Sequence, residues 1–420
     1  MMGKIRAWLV AVMLLLVAAT SVAAQDTTAL RHYGAEVSVV PGRAIAADSY
    51  EKKWLKGRGS TAITAAVRYA AVPRDSDVFA ADYGYPVWIA GLRYNLNHGV
   101  TMHREKDAAW GQLEPVDYVT HMGDILTAYG AFERPLLRRG RWQADYTLGF
   151  GVGYAFSKYN PRDAIDNELI GSRLLIYFGA GLHVTCHIAP QWGVRAGVDF
   201  YHHSNGAMNR PNKGANVIGP SVSLLYEPYA RELATAPHRR CDRPFARQWT
   251  AEVAVGVGMK TLNEDWQLTQ FRTVPGAPGY RTDHFRRYLT YSLQTNLMCR
   301  YARRWASGIG ADVFYGTYAD RVAEIDRQQG IDARHSPWSV GLAARHRAYY
   351  HRLSLDMSLG VYLFRHMGDN ARQVEAPYYE RIGVHYTFAG RHGLSVGLDV
   401  KAHKTKADYT EITLAYPVRL

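Results

Sequence analysis

The sequence predicts an all-β protein, an antiparallel barrel of the kind that crosses an outer membrane, and three observations carry that expectation. The first is the length of its alternating segments. From Trp142 to Phe156 every even residue is large or apolar, and every odd one is small or polar. Side chains alternate faces along a strand, and this run far exceeds the roughly five or six residues of an ordinary soluble strand. A tilted strand crossing a bilayer needs about nine to eleven, and more for its ends. The second is the other face, where Gly, Asp, Gln and Arg collect. A soluble barrel would turn its apolar face inward around a dry core, and this face is too polar for that. The third is a regular asymmetry of connections, long and polar after odd strands and shorter after even ones, as in transmembrane barrels. Tyrosine (29) outnumbers phenylalanine (12) and glycine is abundant (38), in keeping with aromatic girdles and a polar interior.

The elements follow in order. Residues 1–24 read as a secretory signal peptide: Lys4 and Arg6 precede an apolar run from Ala7 to Ala19, and Val22-Ala23-Ala24 offers small residues for cleavage. No later stretch approaches the ~18 continuous apolar residues of a membrane helix. Eight strands are expected at about 31–41, 60–73, 83–95, 118–132, 142–156, 172–187, 191–204 and 216–229. A basic, proline-containing linker, 231–247, comes next. Eight more strands are expected at about 249–260, 285–300, 304–318, 336–349, 352–365, 378–389, 391–403 and 409–420, with long connections again in the odd places.

The halves share local sequence. Ala35-Glu36-Val37-Ser38-Val39 returns as Ala251-Glu252-Val253-Ala254-Val255, and Gly197-Val198-Asp199 as Gly397-Leu398-Asp399. An internal duplication accounts for this. Two tandem eight-stranded barrels, 25–230 and 248–420, follow naturally, because each can pair its last strand with its first and leave no edge. One sixteen-stranded barrel is the alternative.

The formal charge of +13 suggests an anionic partner. Export sets nucleic acid aside and leaves a phosphate-bearing lipid surface, with scattered solvated charge as the bland reading. Cys186, Cys241 and Cys299 are too few for a disulfide framework and too scattered for a metal site. In an oxidising compartment they allow at most one bridge.

The seventh strand and the loop after it hold the candidate chemistry. Trp192, Val194, Ala196, Val198 and Phe200 form an apolar face, and the same parity continues to His202 and Ser204. On the returning strand Asn216 shares the face of Ile218, Val222 and Leu224. A base, a hydroxyl and an amide therefore converge at the top of an apolar wall. His202 can activate Ser204 as a nucleophile, Asn216 can accept from the second imidazole nitrogen, and Asn205 with the backbone around Gly206 can donate to a developing oxyanion. Polar girdle residues beside a loop would look the same. His203 shares the inward face with Asp199 and reads as an interior polar residue.

His202-His203-Ser204-Asn205 followed by Pro211-Asn212-Lys213-Gly214 resembles the His-x-Ser-Asn…Pro-Asn-x-Gly signature of the lipid A 3-O-deacylases, the PagL-like acyloxyacyl hydrolases. Tyr83-Gly84-Tyr85-Pro86, Gly151-Val152-Gly153-Tyr154 and Asn167-Glu168-Leu169-Ile170-Gly171-Ser172 also resemble segments of that family's longer relatives. The resemblance covers roughly 31–229. It implies an eight-stranded outer-membrane barrel with a Ser-His-acid triad facing the outer leaflet, with Ser204 the nucleophile, His202 the base and Asn205 assisting the oxyanion. One position departs: where the best-known members carry glutamate, this chain has Asn216, which can orient an imidazole but cannot neutralise an imidazolium. Glu168, in the loop before strand six, is a conceivable substitute acid. In the second repeat Ala402 and Lys404 stand at the positions of His202 and Ser204, so that barrel is expected to be structural or to bind lipid or protein.

The resulting expectation is an outer-membrane serine esterase acting on lipid A of lipopolysaccharide, needing no cofactor or metal. A non-catalytic porin or scaffold is the alternative, and the sequence leaves the oligomeric state open.

Overall fold

A computed structural model describes residues 29–105, 116–236, 244–390 and 393–419. The segment read as a signal peptide, and Cys241, lie outside these residues. The chain forms two closed antiparallel barrels in sequence. The first uses β1 (Tyr33–Ala44), β2 (Leu55–Ala70), β3 (Val87–Leu96), β6 (Ile125–Arg139), β7 (Trp142–Ala155), β8 (Leu174–Ala189), β9 (Trp192–Ser204) and β10 (Ala215–Tyr226). Closure comes from β1, which pairs with β2 along one edge and β10 along the other. Two short strands, β4 (Val100–Met102) and β5 (Thr120–His121), extend β2 beyond the barrel.

The second barrel runs through β11 (Gln248–Thr261), β12 (Arg287–Ala302), β13 (Trp305–Gly316), β14 (His335–Tyr350), β15 (Leu353–Met367), β16 (Tyr378–Thr387), β17 (Ser395–His403) and β18 (Lys406–Arg419), and closes through β11 and β18. The sixteen-stranded alternative is thereby replaced by two barrels. No described helix is long and apolar enough to cross a membrane. Among the described residues six short α-helices sit in connections: α1 (Ser49–Trp54), α2 (Val78–Tyr83), α3 (Ala230–Ala234), α4 (Asn263–Phe271), α5 (Ala319–Gln328) and α6 (Gly368–Val374). The rim holding the start of β1 and the end of β18 is called proximal below, and the opposite rim distal.

Alternation decides which way each residue faces. Val152, Leu182, Val222, Ile309 and Ile412 point outward and are at least half exposed, while Arg68, Glu133, Arg195 and Asp312 point inward and are buried. Burying charge is tolerable only when it is paired. Arg68 donates to Glu36 (2.6 Å), Glu133 (2.6 Å) and Glu227 (3.1 Å), and Arg195 donates to Glu36 (2.5 Å) and Glu133. In the second barrel Arg347 joins Glu252 and Asp356, Arg345 joins Asp312, and Arg381 joins Glu411. These pairs tie facing walls together and fill both interiors.

One strand and two connections differ from the sequence reading. The fourth strand, expected at 118–132, is β6 at 125–139. A bulge at Pro135 and Leu137 carries the strand past the expected end, and Arg138 turns in to donate to the Gly84 (2.7 Å) and Tyr85 (2.8 Å) carbonyls. The connection after β2 is long and holds α2, which starts on Asp77, whose carboxylate accepts from the Phe79 and Ala80 N–H groups, and stops at Gly84 in the left-handed region. Between β17 and β18 the expected long connection is a tight turn of Lys404 and Thr405, both at positive φ, the conformation that matches hairpin twist.

The barrels meet at both rims. At the proximal rim Arg303 pairs with Asp82 (3.1 Å) and Tyr83 Oη donates to the Tyr349 carbonyl (2.9 Å). The Tyr350 ring there packs among Phe79, Trp88 and Phe132. Distal contacts involve the loop after β9.

Candidate active site

β9 ends at the distal rim with His202 directly across from Asn216 of β10 and Phe178 of β8, and Ser204 opposite Ile176. Ladder register, set by the apolar alternation below, puts His202, Ser204 and Asn216 on one outward face. Asn216 Oδ1 is a carbonyl and only accepts, so the 2.8 Å contact fixes the hydrogen on His202 Nδ1 and leaves Nε2 as the acceptor. Gly214 lies against the imidazole: its φ is +80°, and a Cβ there would meet His202 Cε1 at 2.5 Å. Ser204 is buried although it faces outward.

The loop after Ser204 is held from several sides. The Asn205 N–H donates to Asn212 Oδ1 (2.8 Å), and Asn205 Oδ1 accepts from the Asn209 N–H (3.3 Å). Asn209 Nδ2 donates to the Gly171 carbonyl (2.6 Å). The signature residues Asn212 and Gly214 thus shape the loop and seat the imidazole. Among the described residues Asn205 Nδ2 is a buried donor with no hydrogen-bond partner. Gly206 sits at φ +59°, and a Cβ on it would run into Thr410 of the second barrel.

Glu168, the conceivable substitute acid, makes its contacts within the distal loops. Its carboxylate accepts from Tyr50 Oη (2.6 Å) and Arg104 Nη1 (3.0 Å), while Asp166 takes Arg104 Nε (2.9 Å). These contacts brace the loop, and it is Asn216 that bonds the imidazole. The Glu168 and Leu169 carbonyls in turn accept from the Lys213 and Gly214 N–H groups (both 3.1 Å). Beyond them Lys213 Nζ pairs with Asp48 (2.7 Å). Neighbouring Glu51 is buried with one carboxyl oxygen unpartnered, and that burial pushes its carboxyl up to about 7.

His203 faces the interior, its Nε2 at 2.9 Å from Thr127 Oγ1. In the second barrel the residue aligned with Ser204, Lys404, lies in the tight turn. Glu375, His403 and Asp408 approach within 4.8 Å of one another at that barrel's distal mouth. Lys260 and Lys401 already bond Asp408, and Arg365 bonds Glu375, so their charge is met by protein cations. Sequence reasoning missed Tyr50, Arg104, Thr261 and Thr410. The two threonines did leave a signal: Thr261 continues the parity of Val253, Val255, Val257 and Met259, and Thr410 that of Ile412, Leu414 and Tyr416.

An outward apolar belt around two ion-paired interiors defines an outer-membrane β-barrel protein. Residues 81–224 match the family model described as lipid A 3-O-deacylase (PagL), and residues 247–420 match that described as acyloxyacyl hydrolase, C-terminal domain. With both halves matched, the chain belongs to the lipid A 3-O-deacylase family, and the relationship extends beyond the N-terminal half that the motifs marked. No curated protein matches the chain. Among solved structures, the outer membrane enzyme PagL is 15% identical over 46% of this chain and 98% of its own, with a TM-score of 0.28. A mutant of the Rhodopseudomonas blastica porin is 9% identical over 92% and 99%, with a TM-score of 0.17. The COG4313 outer membrane channel from Pseudomonas putida F1 is 9% identical over 93% and 96%, with a TM-score of 0.19.

Proposed function

We propose that this protein is a serine esterase that removes an ester-linked acyl chain from lipid A. The observation that carries the reading is the His202–Asn216 hydrogen bond on the outward face of β9, two residues from Ser204. With Nδ1 occupied, His202 Nε2 takes the proton as Ser204 Oγ attacks the ester carbonyl. Negative charge then gathers on the carbonyl oxygen, where Asn205 Nδ2 and the Gly206 N–H are the donors that receive it. Collapse expels the sugar alkoxide, which takes the proton from His202. Water, deprotonated by the same imidazole, releases the fatty acid and restores Ser204. Phe178, Val198, Phe200 and Ile218 line the outward wall beneath the site, a surface on which an acyl chain can lie. Asn216 orients the imidazole without a countercharge, so the turnover expected is slower than with a carboxylate there.

The porin alternative fits the filled interiors poorly, since ion pairs cross both lumens. Lipid A from cells with and without the expressed protein separates the readings by mass spectrometry. Loss of one hydroxyacyl chain supports the esterase; an unchanged spectrum with a correctly folded barrel contradicts it.

A further inference from the structure

At the positions aligned with His202 and Ser204 the second barrel has Ala402 and Lys404, yet it grips the loop that follows Ser204. Thr410 Oγ1, on β18, donates to the Gly206 carbonyl at 3.1 Å. On β11, the Thr261 N–H and Oγ1 both donate to the Ala207 carbonyl, at 2.8 and 3.0 Å. The grip is returned by Arg210, whose Nε and Nη2 donate to the Thr261 carbonyl at 3.2 and 3.0 Å. Both threonines face outward, at positions where the strand alternation elsewhere presents Val257 and Ile412 to lipid, and both are buried because the loop covers them.

We infer that the second barrel is a positioning clamp for the nucleophile loop, with Thr410 and Thr261 as positioning residues. A peptide unit is planar, so fixing the Gly206 and Ala207 carbonyls fixes the planes of two consecutive peptides. The third carbonyl of this turn, that of Asn205, accepts from the Met208 N–H at 3.1 Å. With all three held, the Gly206 N–H cannot swing independently of the second barrel, and the Asn205 side chain is tied to the same loop through the Asn209 N–H. Donors to an oxyanion work because they are aimed before the reaction, and a residual hinge at Gly206, the freest residue of the turn, would undo that aim. The strand ends carrying the threonines are themselves anchored: Lys260, next to Thr261, and Asp408, two residues before Thr410, bond each other inside the barrel.

This inference rests on reading Ser204 as the nucleophile, and the test separates the two. Deacylation of purified lipid A in mixed micelles is measured for the full-length protein, Thr410→Val, Thr410→Ser, Thr261→Val and Ser204→Ala, each checked for folding by heat-modifiable gel migration. Thr410→Val keeps the side-chain shape and loses the donor. It is expected to lower kcat about tenfold or more with KM little changed, as for a misaimed group, and Thr410→Ser is expected to recover most of the loss. Thr261→Val, which keeps the backbone donor, is expected to show a smaller fall of the same kind, and it reads the clamp independently should Thr410→Val not fold. Wild-type kcat in the folded valine variants, or equal losses in Thr410→Val and Thr410→Ser, would overturn the clamp while leaving Ser204 in place. Full activity in Ser204→Ala would instead remove the nucleophile reading on which it stands.

Discussion

His202 and Asn216 face each other across the β9–β10 ladder, and the amide oxygen of Asn216 accepts the imidazole Nδ1–H at 2.8 Å. An acceptor of this kind selects a tautomer and holds the ring, but supplies no charge against an imidazolium. Substitutions at Asn216 therefore separate orientation from charge. Asn216→Asp is expected to retain or raise kcat, by up to about tenfold, while Asn216→Leu lowers it by about a hundredfold or more through loss of the tautomer. Identical rates for Asn216→Asp, Asn216→Glu and Asn216→Leu would mean that another group orients His202.

Glu51 is expected to make the distal loops sensitive to pH. Burial raises its carboxyl from 4.5 to about 7, so the folded state holds this proton more tightly than the unfolded chain does. Its stabilising contribution is full below about 4.5 and is lost as pH rises towards 7, on the order of 3 kcal/mol at most. Thermal unfolding in detergent is expected to show a Tm that declines across this window in the wild type and stays flatter in Glu51→Gln, whose amide cannot ionise. Parallel declines in the two proteins would assign the pH dependence to other groups.

The strand directions place Cys186 near the proximal end of β8 and Cys299 near the proximal end of β12, and both are free thiols. With the distal rim at the cell surface, a membrane-impermeant maleimide should leave both unlabelled in intact cells and label them once the outer membrane is breached. Efficient labelling in sealed cells would reverse the topology and take Ser204 out of the outer leaflet.

Sequence periodicity made most of the barrel legible, because every strand must satisfy lipid on one side and a polar interior on the other. It lost accuracy where tertiary contacts replaced that demand. Arg138 fell outside the expected strand because its partners, the carbonyls of Gly84 and Tyr85, lie some fifty residues away in the chain. At the site, parity brought His202, Ser204 and Asn216 to one face, since two residues along a strand and a ladder partner are local relations. The contacts of Glu168 were not legible for the opposite reason. Its engagement with Arg104 and Tyr50 joins three separate loops, and no spacing rule encodes such a contact. Thr261 and Thr410 were visible as polar residues out of pattern, but what covers them depends on how the two barrels dock.

The nucleophile is the centre of this account, and the lipid A mass spectrum of cells expressing Ser204→Ala beside the wild type tests it most directly. The account predicts loss of one hydroxyacyl chain with the wild type and an intact spectrum with Ser204→Ala, both proteins present at equal levels as heat-modifiable barrels. The same deacylated species in both strains would contradict it.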